Sequence, residues 1–228
     1  MRSRHWPLFG LRLVTPRLEL RLPTSEDLDA LADLAVEGVH DPGYMPFGVP
    51  WTDQPPQRLA PALLQYHWSA WGAWRPDDWR LELAVLRDDV VIGTQGVHGR
   101  DFALTREVAT GSWLGRRFQG RGIGTEMRAA VLHLAFAGLG AVAAHSAAWA
   151  DNAASLAVSR KLGYRPNGVE RQKRRDEAAL HQRLLLDRES WERHRTVPVE
   201  IYGLEPCLPL FGLQDDDGFP PVPSRTPT

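Results

Sequence analysis

One cysteine, Cys207, stands in 228 residues. No disulfide can form within the chain, and a structural zinc site built on thiolates is not expected. A basic surplus is also missing: 27 Lys and Arg face 28 Asp and Glu, a formal net charge of −1. Neutralising nucleic-acid phosphates needs such a surplus, so a general nucleic-acid binder is not expected. No uncharged apolar run approaches the roughly 18 residues that suggest a membrane span. The opening MRSRHWPLFGLRL is basic but lacks the apolar stretch of a signal peptide. These absences suggest a soluble, reduced, cytoplasmic protein that uses no metal. Apolar residues make up 43% of the chain, enough at this length to fill one buried core.

Patterning divides the chain into elements. RLVTPRLELRLP alternates apolar and charged residues at Leu18, Leu20 and Leu22, the period of a strand. TSEDLDALADLAVEGV follows as a helix, capped at Thr24 or Ser25, with Leu28, Leu31, Ala32 and Ala35 on its apolar face. HDPGYMPFGVPWTDQPPQ is a long proline-rich loop of the kind that often carries function. The next helix carries Trp68, Trp71 and Trp74, either as a core stripe or as the wall of a ligand slot. RLELAVLRDDVVIGTQGVHG reads as two strands turning at Asp88-Asp89, and REVATGSWLG as a third. After a glycine loop come a helix from Ile123, a strand in AVAAHSAAWA and a helix from Asp151-Asn152 to Gly163. QRLLLDRESWERH gives a last strand and a short helix. The order β-α-α-β-β-β-loop-α-β-α-β implies a mixed sheet flanked by helices. Residues 1–195 read as one domain and 196–228 as a proline-rich extension. Within it, Ile201 to Phe211 is apolar enough to dock on the domain or on a second subunit, while the chain from Gln214 reads as disordered.

The glycines of FQGRGIGTE, Gly120, Gly122 and Gly124, stand at a strand-to-helix junction. Such a loop aims backbone N–H groups at an anion, and the helix N-terminus adds partial positive charge. No Gly-Lys pair exists for a P-loop. The third position of G-x-G-x-x-G falls on Thr125, and LGAVAAH offers no acid for a dinucleotide ribose. The pattern Q/R-x-x-G-x-G/A, which cradles the pyrophosphate of coenzyme A, is met by Gln119-Gly120-Arg121-Gly122-Ile123-Gly124.

Together with WADNAASLAVSRKLGY and TPRLELRLPTSEDLDAL, this loop makes roughly residues 11 to 192 resemble the GNAT acyltransferases, in particular their RimJ/RimL-like branch. The resemblance implies an α/β (α+β) fold with a mixed central sheet of six to seven strands. It also implies direct acyl transfer from acyl-CoA to a primary amine of a small molecule or peptide. Acetyl-CoA is the default donor and succinyl-CoA its rival, since similar HDP…MPF…PW loops occur in relatives associated with succinyl-CoA. By the same resemblance, Ser112, Trp113 and Leu114 face pantetheine and the thioester. Backbone from Gln119 through Gly120, Arg121, Gly122, Ile123 and Gly124 to Thr125 holds the pyrophosphate, with Arg116 and Arg117 adding charge nearby. Asn152 contacts pantetheine and Ser155 lies near the departing sulfur. The tyrosine that many members use as general acid is replaced by Ser159. Ala109 stands where a base-type glutamate is usual, with Glu107 two residues earlier, and Arg174 replaces a RimL-type glutamate. The base is therefore sought among His98, His145, His181 and Glu82, histidine having the suitable ordinary pKa; His145 and His181, with Asn152 and Ser155, are taken as the catalytic set. The missing acid and base also leave open a non-catalytic acyl-CoA-binding module. A homodimer or higher homo-oligomer is expected from the family and from the apolar tail.

Overall fold

A computed structural model describes residues 3–213. In chain order the elements are β1 (Arg12–Val14), β2 (Glu19–Arg21), α1 (Ser25–Glu37), α2 (Pro56–Gly72), β3 (Asp78–Arg87), β4 (Val90–Arg100), α3 (Phe102–Thr105), β5 (Glu107–Leu114), α4 (Ile123–His133), β6 (Ala143–Trp149), α5 (Ala153–Lys161), β7 (Arg165–Arg174), β8 (Glu177–Asp187), α6 (Arg188–His194) and β9 (Glu200–Tyr202). They form one sheet in the order β7-β8-β6-β5-β4-β3-β2-β1-β9. All neighbours are antiparallel except β5 and β6, which run parallel.

Local chemistry sets the boundaries. Thr24 accepts from the Asp27 N–H at 3.1 Å while Asp27 accepts from the Thr24 N–H at 2.9 Å, a capping box that starts α1. Asp88 and Asp89 both take left-handed φ, 51° and 61°, which closes the β3–β4 hairpin in two residues. Strand alternation then sends side chains to two cores. Leu81, Leu83, Val85, Val97, Val108 and Leu114 pack with Ile123, Met127 and Val131 of α4. Ala84, Leu86 and Val91 pack on the other face with Leu28 and Leu31 of α1 and Leu59 and Leu63 of α2.

The sheet has nine strands, not six or seven. The additional ones are β1, β7 and β9. β1 and β9 have three residues each, too few for alternation to show. β7 is exposed or half-buried along its whole length and has no apolar face to announce it. The three tryptophans do not form one helical stripe, because α2 ends at Gly72, before Trp74. Trp68 is 52% exposed, whereas Trp74 stacks on Trp79 and donates to the Leu210 carbonyl at 2.8 Å.

That bond belongs to the tail. β9 pairs with β1, and Cys207, Leu210 and Phe211 are buried in the chain's own core. The apolar tail segment thus docks on the chain's own domain through these residues, while Tyr202 stays 44% exposed. The expectation for residues from Gln214 lies outside the described residues. Phe211 meets Trp79 edge-on at 4.8 Å and Trp74 at 5.6 Å, with no exposed surface. Phe211→Ala is expected to cost about 3–5 kcal/mol of stability. Urea denaturation at constant slope checks this; a loss under about 1 kcal/mol would mean that the tail is not part of the cooperative unit.

Candidate active site

β5 and β6 pair only at their starts, Glu107–Ala109 against Ala143–His145. β5 then stays with β4 as far as Leu114, and β6 stays with β8 as far as Trp149. From Thr110 to Leu114 the β6-facing edge of β5 therefore has no strand partner. An extended ligand backbone can take up hydrogen-bonding groups on such an edge.

At the mouth of this gap stands the glycine loop. Gly120 and Gly122 adopt φ of 73° and 76°, a region that side-chain-bearing residues avoid. The N–H groups of Gly120, Arg121, Gly122, Ile123 and Gly124 make no hydrogen bond among the described residues. They gather at the N-terminus of α4, a ready site for an anion. The loop is braced from below. Gln119 donates its side-chain amide to the carbonyls of Val39 at 2.7 Å and Leu114 at 2.9 Å. Arg17 donates to the Arg121 carbonyl and pairs with the buried Glu126, which also accepts from Thr15 at 2.7 Å. Arg116 and Arg117 reach Asp41 and Glu37. Arg121 is exposed beside the free amides.

The far wall is α5. Asn152 caps it, accepting from the Ser155 N–H at 3.1 Å, and the Ser155 hydroxyl has no partner among the described residues. Ser159, one turn deeper, is buried; it donates to the Ser155 carbonyl and accepts from Arg128 of α4. Ser112, Trp113 and Leu114 on β5, the glycine loop and the first turn of α5 thus border one gap.

Residues 17–165 match the model of a family described as the acetyltransferase (GNAT) domain. This chain belongs to the GNAT acetyltransferase family. It is therefore an acyl-CoA N-acetyltransferase, and acetyl-CoA is its co-substrate. Solved structures agree on the fold. One is RimL, a ribosomal L7/L12 α-N-protein acetyltransferase in complex with coenzyme A, at 17% identity and a TM-score of 0.62, covering 78% of this chain and 97% of that one. Another is Mycobacterium smegmatis RimJ in complex with CoA-disulfide, at 16% identity and 0.62, covering 82% and 94%. A GNAT-family acetyltransferase from Bacillus anthracis follows at 14% and 0.58, covering 78% and 99%. Among the described residues no helix is long and apolar enough to cross a membrane.

On the face of the sheet shared with α1 and α2, the GNAT gap opens onto Ala109, Gly111 and Ala147, all exposed. His98 stands beside this floor, paired across the ladder with Ala109. Its Nε2 lies 2.7 Å from Glu82 Oε1, which also accepts from the Tyr66 hydroxyl at 2.7 Å. Burial alone would raise the Glu82 carboxyl, but the bonds from His98 and Tyr66 hold it below its ordinary range. Gly96 makes this possible: a Cβ there would lie 2.5 Å from Glu82 Oε2. An ionised Glu82 fixes the proton on His98 Nε2 and leaves Nδ1, which has no partner among the described residues, as the basic nitrogen.

The other candidate histidines are dispersed. His145, on β6 beyond Ala109, sits 2.9 Å from Glu107. Two strand spacings separate it from His98, about 10 Å. His181 lies four residues further along the ladder, its ring 4.8 Å from that of Trp149. Burial lowers its pKa. Neither meets Ser155, whose helix packs with α4 on the opposite face.

The proline-rich loop roofs the gap. Phe47 accepts from Trp149 Nε1 at 3.3 Å, and Trp51 tilts against Trp113 at 5.6 Å. Arg175 grips Asp53 through two bonds and the Pro42 carbonyl through a third. Arg174, where the resemblance led to a missing glutamate, is a strap instead: it pairs with Asp151, which also accepts from Tyr44. Burial and that bond push the Tyr44 phenol up to about 12, so it stays protonated.

Sequence reasoning passed over Arg17, Tyr66, Glu126 and Arg128. Glu126 and Arg128 did leave a signal, since each lies in register with an apolar residue of its helix, Ala130 for one and Val131 for the other.

Proposed function

We propose that this chain transfers an acyl group from acyl-CoA to a primary amine of a small molecule or peptide by direct attack on the thioester. The unpaired N–H groups from Gly120 to Gly124, at a helix N-terminus beside the gap, carry the reading. They suit a pyrophosphate, and Arg121 adds charge beside them. Ser112, Trp113 and Leu114 present the free edge of β5 to pantetheine, and a backbone N–H on that edge polarises the thioester oxygen. Asn152 holds pantetheine from the other wall, and the Ser155 hydroxyl donates to the departing sulfur. The amine approaches over Ala109 and Gly111. His98 Nδ1 takes its proton, with Glu82 stabilising the imidazolium that forms. His145 and His181 are less suited, one held by Glu107 and the other packed on Trp149. The tryptophan-rich roof keeps water from the thioester. Acetyl-CoA serves as donor by default; the roof also has the bulk to shape a succinyl site. A homodimer is expected, with the exposed Tyr202 of the tail as one available apolar contact. The lone, buried Cys207 suits a cytoplasmic setting.

The test is thiol release from acetyl-CoA and succinyl-CoA in the presence of peptides with free N-termini and of small primary amines, alongside thermal shifts with coenzyme A. A ligand at 100 times its Kd stabilises by about 2.7 kcal/mol. Amine-dependent thiol release supports the enzyme. Stabilisation without turnover of any amine would favour the non-catalytic binding module. No stabilisation by any coenzyme A species would overturn the reading of the loop.

A further inference from the structure

Arg128 is a buried cation without a counterion. It is 6% exposed, and no carboxylate pairs with it among the described residues. Glu126, two residues back on the same helix and so turned to another side, is already taken by Arg17. The guanidinium donates only to neutral hydroxyls, Ser159 Oγ at 2.9 Å and Ser112 Oγ at 3.5 Å, and its Nε has no partner. An orphan of the opposite kind, an acceptor that calls for a donor rather than an anion, lies on the same face of the sheet. Gln95 pairs across the ladder with Ser112, so the two share a face, and Gln95 Oε1 is buried with no partner. Burial disfavours the charged form of Arg128. The nearby titratable group gives no relief, because burial pushes the Tyr164 phenol up and keeps it neutral. Thr110, 3.4 Å from that phenol, carries no charge either. An uncompensated buried cation is costly, and such groups gather where an anion must appear.

The location says which anion. Ser112 lies on the unpaired part of β5, and Ser159 is one turn below Ser155 on α5. Arg128 thus bridges the two walls of the gap between which the pantetheine arm would lie. Resting on the coenzyme A reading above, we propose that Arg128 is the counter-charge of the departing coenzyme A thiolate. In the step itself the amine nitrogen bonds to the acyl carbon and the C–S bond breaks. The electron pair goes to sulfur, and the amine's proton goes to His98. The sulfur leaves as thiolate, so no general acid is needed at position 159. A small serine there leaves room for the guanidinium and anchors it.

The test compares coenzyme A with desulfo-coenzyme A, which keeps every phosphate and lacks only the thiol. A free thiol ionises near pH 8.5. If Arg128 stabilises the thiolate, the bound thiol ionises earlier. The Kd ratio of desulfo-coenzyme A to coenzyme A should then grow about tenfold between pH 6 and pH 8.5. Arg128→Met should flatten that ratio while leaving desulfo-coenzyme A affinity within about threefold, and Arg128→Lys, which keeps a cation, should retain part of it. Parallel pH curves for the two ligands on the wild type would overturn the proposal, whether or not the variants fold, and would leave the orphaned atoms to a buried water. A ratio unchanged in a folded Arg128→Met protein would overturn it too. Failure of both coenzyme A and desulfo-coenzyme A to bind the wild type would sink the coenzyme A reading itself, and this inference with it.

Discussion

Gly122→Val is expected to weaken coenzyme A binding by at least about 100-fold, or about 2.7 kcal/mol at 1.36 kcal/mol per factor of ten. The residue is the N-cap of α4 at φ 76° and ψ −3°. A left-handed backbone costs a side-chain-bearing residue about 1–2 kcal/mol, and a β-branched one more. The loop relieves that strain by rotating the peptides on either side, which turns the N–H groups of Gly122 and Ile123 away from the anion. If the backbone holds instead, the new side chain stands beside Arg17, whose Nη2 lies 3.5 Å from the position of a Cβ. Either way the donor cluster is lost, while Gly122 is exposed and the cores are untouched. Gly124→Ala is the contrast. Gly124 does not have positive φ, and a Cβ would meet only Val158 at an ordinary 3.7 Å. The loop pattern itself admits alanine there, so affinity should fall by no more than about threefold, within the scatter of single surface contacts. Calorimetric titration of both variants with coenzyme A, beside their circular dichroism, decides it. Equal affinities for Gly122→Val and the wild type would show that the loop amides do not hold the ligand.

The proposed coenzyme A side of the site was legible because its structure is local. A glycine loop, a helix N-terminus and a capping asparagine are all features of short sequence windows, and the loop, the start of α4 and the Asn152 cap fall where those windows put them. The proposed acceptor side is built the other way. Glu82 meets His98 through a hairpin ladder and Tyr66 through a helix packed across it. No spacing rule joins those residues, so the sequence reading put His145 and His181 forward as catalytic and left Glu82 and His98 behind them. Arg174 shows the same limit: alignment marks it as a lost glutamate, but only the β7–β8 hairpin shows it strapping Asp151. Strands divided in the same manner. β3, β4, β5 and β6 carry apolar faces long enough to read. β7 is held by its ladder with β8, and a ladder partner is invisible until the chain is folded.

His98→Ala is expected to lower kcat for the amine by about 10²-fold or more, the usual worth of a positioned general base. Affinity for acyl-CoA should hardly change, since His98 stands on the sheet face away from α4 and α5. The acid limb of the pH–rate profile should vanish with it, because a base that already carries a proton cannot take one from the amine. Glu82→Gln separates geometry from charge. The amide still fits beside Gly96, but it no longer stabilises the imidazolium, so kcat should fall by a smaller factor, about tenfold. Stability gives an independent sign. The Glu82 carboxyl titrates lower in the folded chain than in the unfolded one. The unfolded state therefore takes up its proton first on acidification. The contribution of Glu82 is complete above the ordinary carboxylate range and is lost as pH falls through the folded value. Asp27, Asp53 and Asp151 are shifted the same way, so the raw acid limb is shared. Only the difference between wild type and Glu82→Gln isolates this pair, and it should shrink as pH drops below about 4. Should His98→Ala keep its kcat and its acid limb while His145→Ala loses both, the base is at the Glu107 end of the groove. The amine must then enter from the paired end of β5 and β6 rather than over Gly111.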